Sequence, residues 1–142
     1  MGLVHTLIPD REIYYVTDDQ TVLQAVKYMV ERNVGAVPVL RDHELVGIFS
    51  ERDLMKRVVA EQLDPQSTRV GEVMTANPLV VAHTETIDKC RAIMQQHSFR
   101  HLPVCDGKKL RGLISMRDLL AHEVSEKDHE VQHMRAYIQQ NS

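Results

Sequence analysis

The chain has 142 residues, 43% of them hydrophobic and 26% charged, with a formal net charge of -3. Such a composition belongs to a globular chain long enough to close a core. The slight acid excess excludes a broad nucleic-acid surface, so any phosphate-binding charge must be local. The longest apolar stretch, residues 34–40, is far too short to span a bilayer. No segment reads as a signal peptide, and a cytoplasmic location is expected.

The first β-type run is Ile13-Tyr14-Tyr15-Val16. Val22, Ala25, Val26, Met29 and Val30 then fall at i, i+3, i+4, i+7 and i+8, which predicts an amphipathic helix. Two short strands, 36–40 and 45–49, flank the polar turn Arg41-Asp42-His43-Glu44 and predict a hairpin. Ser50, followed three residues later by Asp53 and then by Leu54, starts a second helix. Residues 62–68 are polar and broken by Pro65, and read as a linker. A helical turn is expected over 70–75.

The same order then recurs. Residues 79–82 form the strand, Ile87, Cys90, Ile93 and Met94 the helical stripe, 101–105 and 110–114 the hairpin, and Ser115 with Asp118 the second helix start. With Thr21 set on Thr86, the offset of sixty-five residues yields ten identities in the thirty-four positions from 21 to 54, among them Pro38/Pro103, Gly47/Gly112, Ser50/Ser115, Arg52/Arg117 and Asp53/Asp118. Two copies of one supersecondary unit are too few for a solenoid, so a pseudo-symmetric pair with one shared core is expected. Any site at their junction should come in twos. The division is repeat 1 at 4–62, linker at 63–69, repeat 2 at 70–124 and a helical tail at 125–142. In the tail, Val124, Val131, Met134 and Ile138 share one side of a helix, which should pack on the module or on a second chain.

Cys90 and Cys105 form no CxxC, and both align with apolar residues, Ala25 and Leu40, so they read as core positions in a reducing compartment. Catalysis is not expected, because the repeated serines have no histidine at a matching repeat position. His122, Glu126, His129 and His133 stack along one helix face, a spacing that could hold a metal but that lies opposite the apolar stripe and reads first as a solvated face.

The blocks Gly47-Ile48-Phe49-Ser50-Glu51-Arg52-Asp53 and Gly112-Leu113-Ile114-Ser115-Met116-Arg117-Asp118 resemble the closing motif of cystathionine-β-synthase (CBS) domains. Ala36-Val37-Pro38-Val39 and His101-Leu102-Pro103-Val104 are similar to that family's central strand, and residues 70–75 to the opening of a repeat. The resemblance, to a stand-alone bacterial tandem pair, implies an α/β (α+β) fold. Two β-α-β-β-α repeats would pack as one Bateman module, which commonly pairs into a disc-shaped homodimer. It also implies a regulatory module rather than an enzyme. AMP, ATP, NAD(H) or S-adenosylmethionine would bind in two clefts as a regulatory ligand, no cofactor would be required, and the signal would pass to a separate effector protein. In that family the motif Asp contacts ribose and the Ser contacts phosphate. The implied nucleotide-binding set is Ser50, Arg52, Asp53, Arg100, His101, Pro103, Ser115, Arg117 and Asp118.

The residues support such a cradle on their own chemistry. A helix beginning after a strand presents N–H groups and a positive dipole end to a phosphate, and an ionised Asp one turn in accepts hydrogen bonds from a ribose diol. The same S-x-x-D is an ordinary helix cap, and the two readings are compatible. Arg100 and His101 align with Gly35 and Ala36, so the two sites should be unequal, with the one beside Arg100 better suited to phosphate. His101 reads equally as a strand histidine hydrogen-bonded within the fold. A module that binds no ligand and acts only through protein contacts is the alternative.

Overall fold

The computed structural model describes residues 2–8 and 12–140. A 3-10 turn (Val4–Leu7) leads to β1 (Val16–Thr17), α1 (Val22–Arg32), β2 (Ala36–Arg41), β3 (Glu44–Ser50) and α2 (Glu51–Asp53). The chain continues from α2 as a π-helical segment (Leu54–Val59). α3 (Val70–Val73) and β4 (Thr75–Ala76) follow. The second copy has β5 (Val81–Ala82), α4 (Ile87–His97), β6 (His101–Asp106), β7 (Lys109–Ser115) and α5 (Met116–Gln140).

The strands make two sheets, ordered β1-β2-β3-β4 and β5-β6-β7, in which the first pair is parallel and the hairpin antiparallel. Their registers repeat residue for residue: Ala36 faces Ser50 as His101 faces Ser115, Pro38 faces Ile48 as Pro103 faces Leu113, and both hairpins shift register after Val39 or Val104. The first hairpin closes through Asp42 and His43, both with positive φ (50° and 68°), the turn whose twist suits adjoining strands. The expected strands at 13–16 and 79–82 are shorter. Only Val16–Thr17 and Val81–Ala82 pair, with Val39–Leu40 and Val104–Cys105 as their partners.

Instead of one shared core there are two, one on each sheet, and each borrows a segment from the opposite copy. The first holds Val22, Ala25, Met29, Val37, Val39 and Phe49 together with Val70, Val73 and Met74. The second holds Ile87, Cys90, Met94, Leu102, Val104, Ile114 and Leu119 together with Val4, with Leu7 and Ile8 packed against it. Backbone bonds seat the two arms alike. The Val70 and Gly71 N–H groups donate to the Gln20 and Asp18 carbonyls (2.9 Å each), and those of Val4 and His5 to Glu85 and His83 (2.7 and 3.3 Å). Thr68 and Gly2 accept from the first N–H groups of α1 and α4, Val22 and Ile87 (2.9 and 3.0 Å), which have no partner inside their own helices. The expected linker is therefore partly structural, and Thr68 is buried.

β4 crosses β3 where Gly47 faces Ala76. A Cβ on Gly47 would lie 2.5 Å from Met74 Sδ and 2.8 Å from the Thr75 carbonyl oxygen, and one on Gly112 would lie 2.9 Å from Ile8 Cγ2. The repeated glycine is thus the place where the other copy's arm crosses the sheet. Gly47→Ala is expected to cost about 1–3 kcal/mol, the range for overpacking against groups that cannot retreat. Gly112→Ala should cost less, because a flexible isoleucine side chain is what it meets. Equilibrium urea unfolding of both variants checks the order, and equal costs would contradict it.

Candidate ligand-binding cleft

Both Ser–Asp motifs fold as reciprocal helix caps. The Ser50 N–H donates to Asp53 Oδ2 (3.0 Å) while the Asp53 N–H donates to Ser50 Oγ (3.2 Å); the Ser115/Asp118 pair repeats this at 2.7 and 3.1 Å. Their surroundings then diverge. Asp53 is 6% exposed, and its carboxylate also accepts from Ser50 Oγ and from Thr75 Oγ1 on the crossing arm (3.1 Å each), with Arg57 Nε at 3.7 Å. Asp118 is half-buried, and among the described residues its Oδ1 accepts no hydrogen bond. The Ser115 hydroxyl likewise donates to none.

Ser115, Arg117 and Asp118 open onto a cleft of about 1090 Å³ that residues of both copies line. Of the sequence-predicted site residues it also gathers Arg100 and His101. Ser50, Arg52 and Asp53 do not line it, and Pro103 is buried in β6 while its counterpart Pro38 reaches the wall. The sequence reading missed Arg32, Arg111, Glu12, Glu51 and Tyr14. Among the described residues, four arginines against three carboxylates give the cleft the local positive charge that the whole chain lacks. Arg111 stands where the first copy has Val46, an asymmetry visible in the repeat alignment. Arg32 is held in place by stacking on Tyr28, 3.6 Å from the ring centroid, and nearer the cleft by Tyr14 at 5.5 Å. The apolar part of the lining comes from Val26, Met29, Val30, Val34, Leu54 and Leu113.

Two details correct the sequence reading. The first N–H of α5 is not left for a ligand: Met116 donates it to the Arg100 carbonyl (3.0 Å), as Glu51 does to Gly35 (2.9 Å). His101 carries no charge at neutral pH. Burial pushes its pKa below the ordinary 6.5 and Arg100 pushes the same way, while Asp118 and Glu51 oppose them. His101 therefore offers a neutral ring, and the positive charge comes from the arginines.

Elsewhere, Cys90 and Cys105 are buried free thiols. Burial, then Glu85, raises the Cys90 pKa to about 11, and burial raises that of Cys105, so neither is a thiolate. On α5, His122 Nε2 lies 3.3 Å from Glu126 Oε1, but among the described residues no three His, Cys, Asp or Glu side chains converge to hold a metal ion. No described helix is long and apolar enough to cross a membrane.

Comparison with known proteins places both repeats. The CBS domain family model matches residues 4–60 and 70–125. The mitochondrial CBS domain-containing protein CBSX3 of Arabidopsis thaliana is 36% identical over 130 residues, covering 88% of this chain, and the chain spans 63% of that protein's length. A signal-transduction protein with CBS domains from Burkholderia ambifaria superposes with a TM-score of 0.82 at 40% identity, covering 87% of this chain and 95% of its own. CBSX2, solved in complex with AMP, superposes at 0.74 with 26% identity, covering 88% and 98%.

The depressed pKa of His101 makes acid destabilising. The folded state binds fewer protons there than the unfolded chain, so this contribution is complete above about pH 6.5 and is lost as pH falls through the lower folded value. Between pH 7.5 and 5, the wild type should lose more stability than His101→Gln in otherwise identical denaturant titrations. Parallel pH profiles for the two proteins would contradict a buried neutral His101.

Proposed function

This chain belongs to the CBS domain family, with the domain present twice, and from that premise we propose that it is a regulatory module that senses an adenine nucleotide at the head of α5 and signals to a separate protein. The carrying observation is the unspent hydrogen-bonding capacity of one motif: among the described residues, the Ser115 hydroxyl donates to no partner and Asp118 Oδ1 accepts from none, and both residues line the cleft, whereas Ser50 and Asp53 satisfy each other and Thr75.

In this reading Asp118 Oδ1 accepts from a ribose hydroxyl. The Ser115 hydroxyl, the Arg100 and Arg117 guanidiniums and the positive end of α5 hold the phosphate. His101, neutral when the cleft is empty, supplies a further N–H. The base lies against the apolar wall of Val30, Val34 and Leu113. AMP in CBSX2 supports this class of ligand, and AMP, ATP, NAD(H) and S-adenosylmethionine remain the candidates. The site nearer Arg100 is the better one, and Asp53 is closed to a ligand by its own partners. The module works in the cytoplasm as a homodimer, and its output is contact with the regulated protein.

Ligand binding to the folded state alone raises its stability by mass action, so AMP at millimolar concentration is expected to raise the Tm. Ser115→Asp separates cap from cradle. Aspartate caps a helix about as well as serine, so the ligand-free Tm should hold, while its charge faces the phosphate and most AMP affinity is lost. Ser50→Asp should bind AMP nearly as the wild type does, and 2',3'-dideoxy-AMP should bind far more weakly than AMP. If isothermal titration finds Ser115→Asp binding normally, Ser115 is a cap alone.

A further inference from the structure

The structure gives α5 a length that its own chain does not use. Its first two turns pack through Leu119, and Glu123 is held by Arg91 at 2.6 Å, but every residue from Val124 to Gln139 is exposed. Those sixteen residues extend about 24 Å at 1.5 Å per residue. An isolated helix of that size is marginal in water, and helices in proteins owe most of their stability to a packed face. Among the described residues, nothing packs on the apolar face of this one.

The face is a regular seam. Leu120, Val124, Val131, Met134 and Ile138 are 55%, 60%, 46%, 64% and 61% exposed. With Lys127 they run at alternating intervals of four and three, occupying heptad positions d, a, d, a, d and a from Leu120 through Lys127 to Ile138. All three a positions are β-branched (Val124, Val131, Ile138), the a-position choice that favours two parallel strands, while the d positions are Leu120, Lys127 and Met134. We propose that residues 120–138 of α5 pair in register with the same helix of a second copy as a parallel two-stranded coiled coil.

Charge complementarity selects both the occupant and its direction. In a parallel pair, Glu130 at g meets Arg135 at e of the second copy, twice by symmetry, and Lys127 at d lies beside Asp128 at e of the second copy. Two like-charged pairs remain: Glu123 with Asp128, relieved because Arg91 already neutralises Glu123 within its own chain, and Lys127 with its own copy across the d layer, where Asp128 at e of each partner offsets the charge. The antiparallel arrangement that aligns the same seam sets Glu130 against Glu130 and Asp128 against Asp128. A lysine within the seam costs stability, and only the in-register parallel pair sets it beside the partner's Asp128. His122, His129 and His133 fall outside the seam at f, f and c, so the histidine face stays clear of the pairing. This pairing rests on the helix alone and holds whether or not the cleft binds a nucleotide.

The test is disulfide trapping in the full chain, where the native thiols are buried. Met134→Cys under mild oxidation is expected to give a 134–134 disulfide in most chains, located by peptide mass, while Gln132→Cys, on the outer face, gives little. Adding Val131→Glu to Met134→Cys should abolish the cross-link. Because Val131 is exposed, the thermal transition of the module should stay in place. Absence of the 134–134 bond, equal trapping at 132 and 134, or survival of the bond with Val131→Glu would overturn the proposal. A preferred 124–134 disulfide in a mixture of Val124→Cys and Met134→Cys chains would overturn it in favour of antiparallel pairing.

Discussion

The crossing of the two arms is the contact on which the rest of this structure depends. Each sheet of three or four short strands is too small to bury its own helix, and what completes it is the opening segment of the other copy: Val70, Val73 and Met74 on the first sheet, Val4 with Leu7 and Ile8 on the second. The arms also supply the acceptors for the first N–H groups of α1 and α4, so neither helix is fully capped without the opposite copy. Gly47 and Gly112 have no side chain because the arms pass there. Two units joined in this way cannot separate without each losing part of its core, and the space between them becomes a fixed cleft lined by both.

On that symmetric backbone the chemistry is asymmetric. The same register that sets Ala36 opposite Ser50 sets His101 opposite Ser115. Arg100 replaces Gly35 and Arg111 replaces Val46, moving positive charge to one motif. Around the other, Thr75 and Arg57 surround the Asp53 carboxylate. One aspartate thus became part of the core while its twin stayed open to the cleft, a division that duplicated sequence followed by local substitution explains.

The repeat, its offset and the identity of its elements were legible in the sequence because identical residues at identical spacing must occupy equivalent backbone positions. The inequality of the two motifs was legible from Gly35 and Ala36 against Arg100 and His101. What the sequence hid was contact between segments far apart in the chain. Residues 70–75 read correctly as a helical turn at the opening of a repeat, but nothing local says that they pack on the preceding sheet. The single shared core was expected for the same reason. The tyrosine-rich run before Val16 read as strand by propensity, yet Tyr14 leaves the sheet to line the cleft, a tertiary choice that overrides β preference. The burial that lowers the His101 pKa is likewise invisible in sequence. The tail's apolar stripe was expected to pack on the module or on a second chain; the described residues of the module leave it exposed, and its heptad register then bears on the second possibility.

α5 joins the two proposals physically. Its first residues carry Ser115 and Asp118, Leu120 lines the cleft and opens the seam, and the free length begins one turn later. Under the two proposals, a ligand at the head of this helix would act, with no intervening loop, on the element that meets the second chain. The measurement that bears most directly on the account is native mass spectrometry of the full chain titrated with AMP, compared with Asp118→Asn. One nucleotide per chain, lost in the variant, is the predicted result. Two equivalent nucleotides per chain, or one that survives Asp118→Asn, would contradict the account of one open motif and one closed.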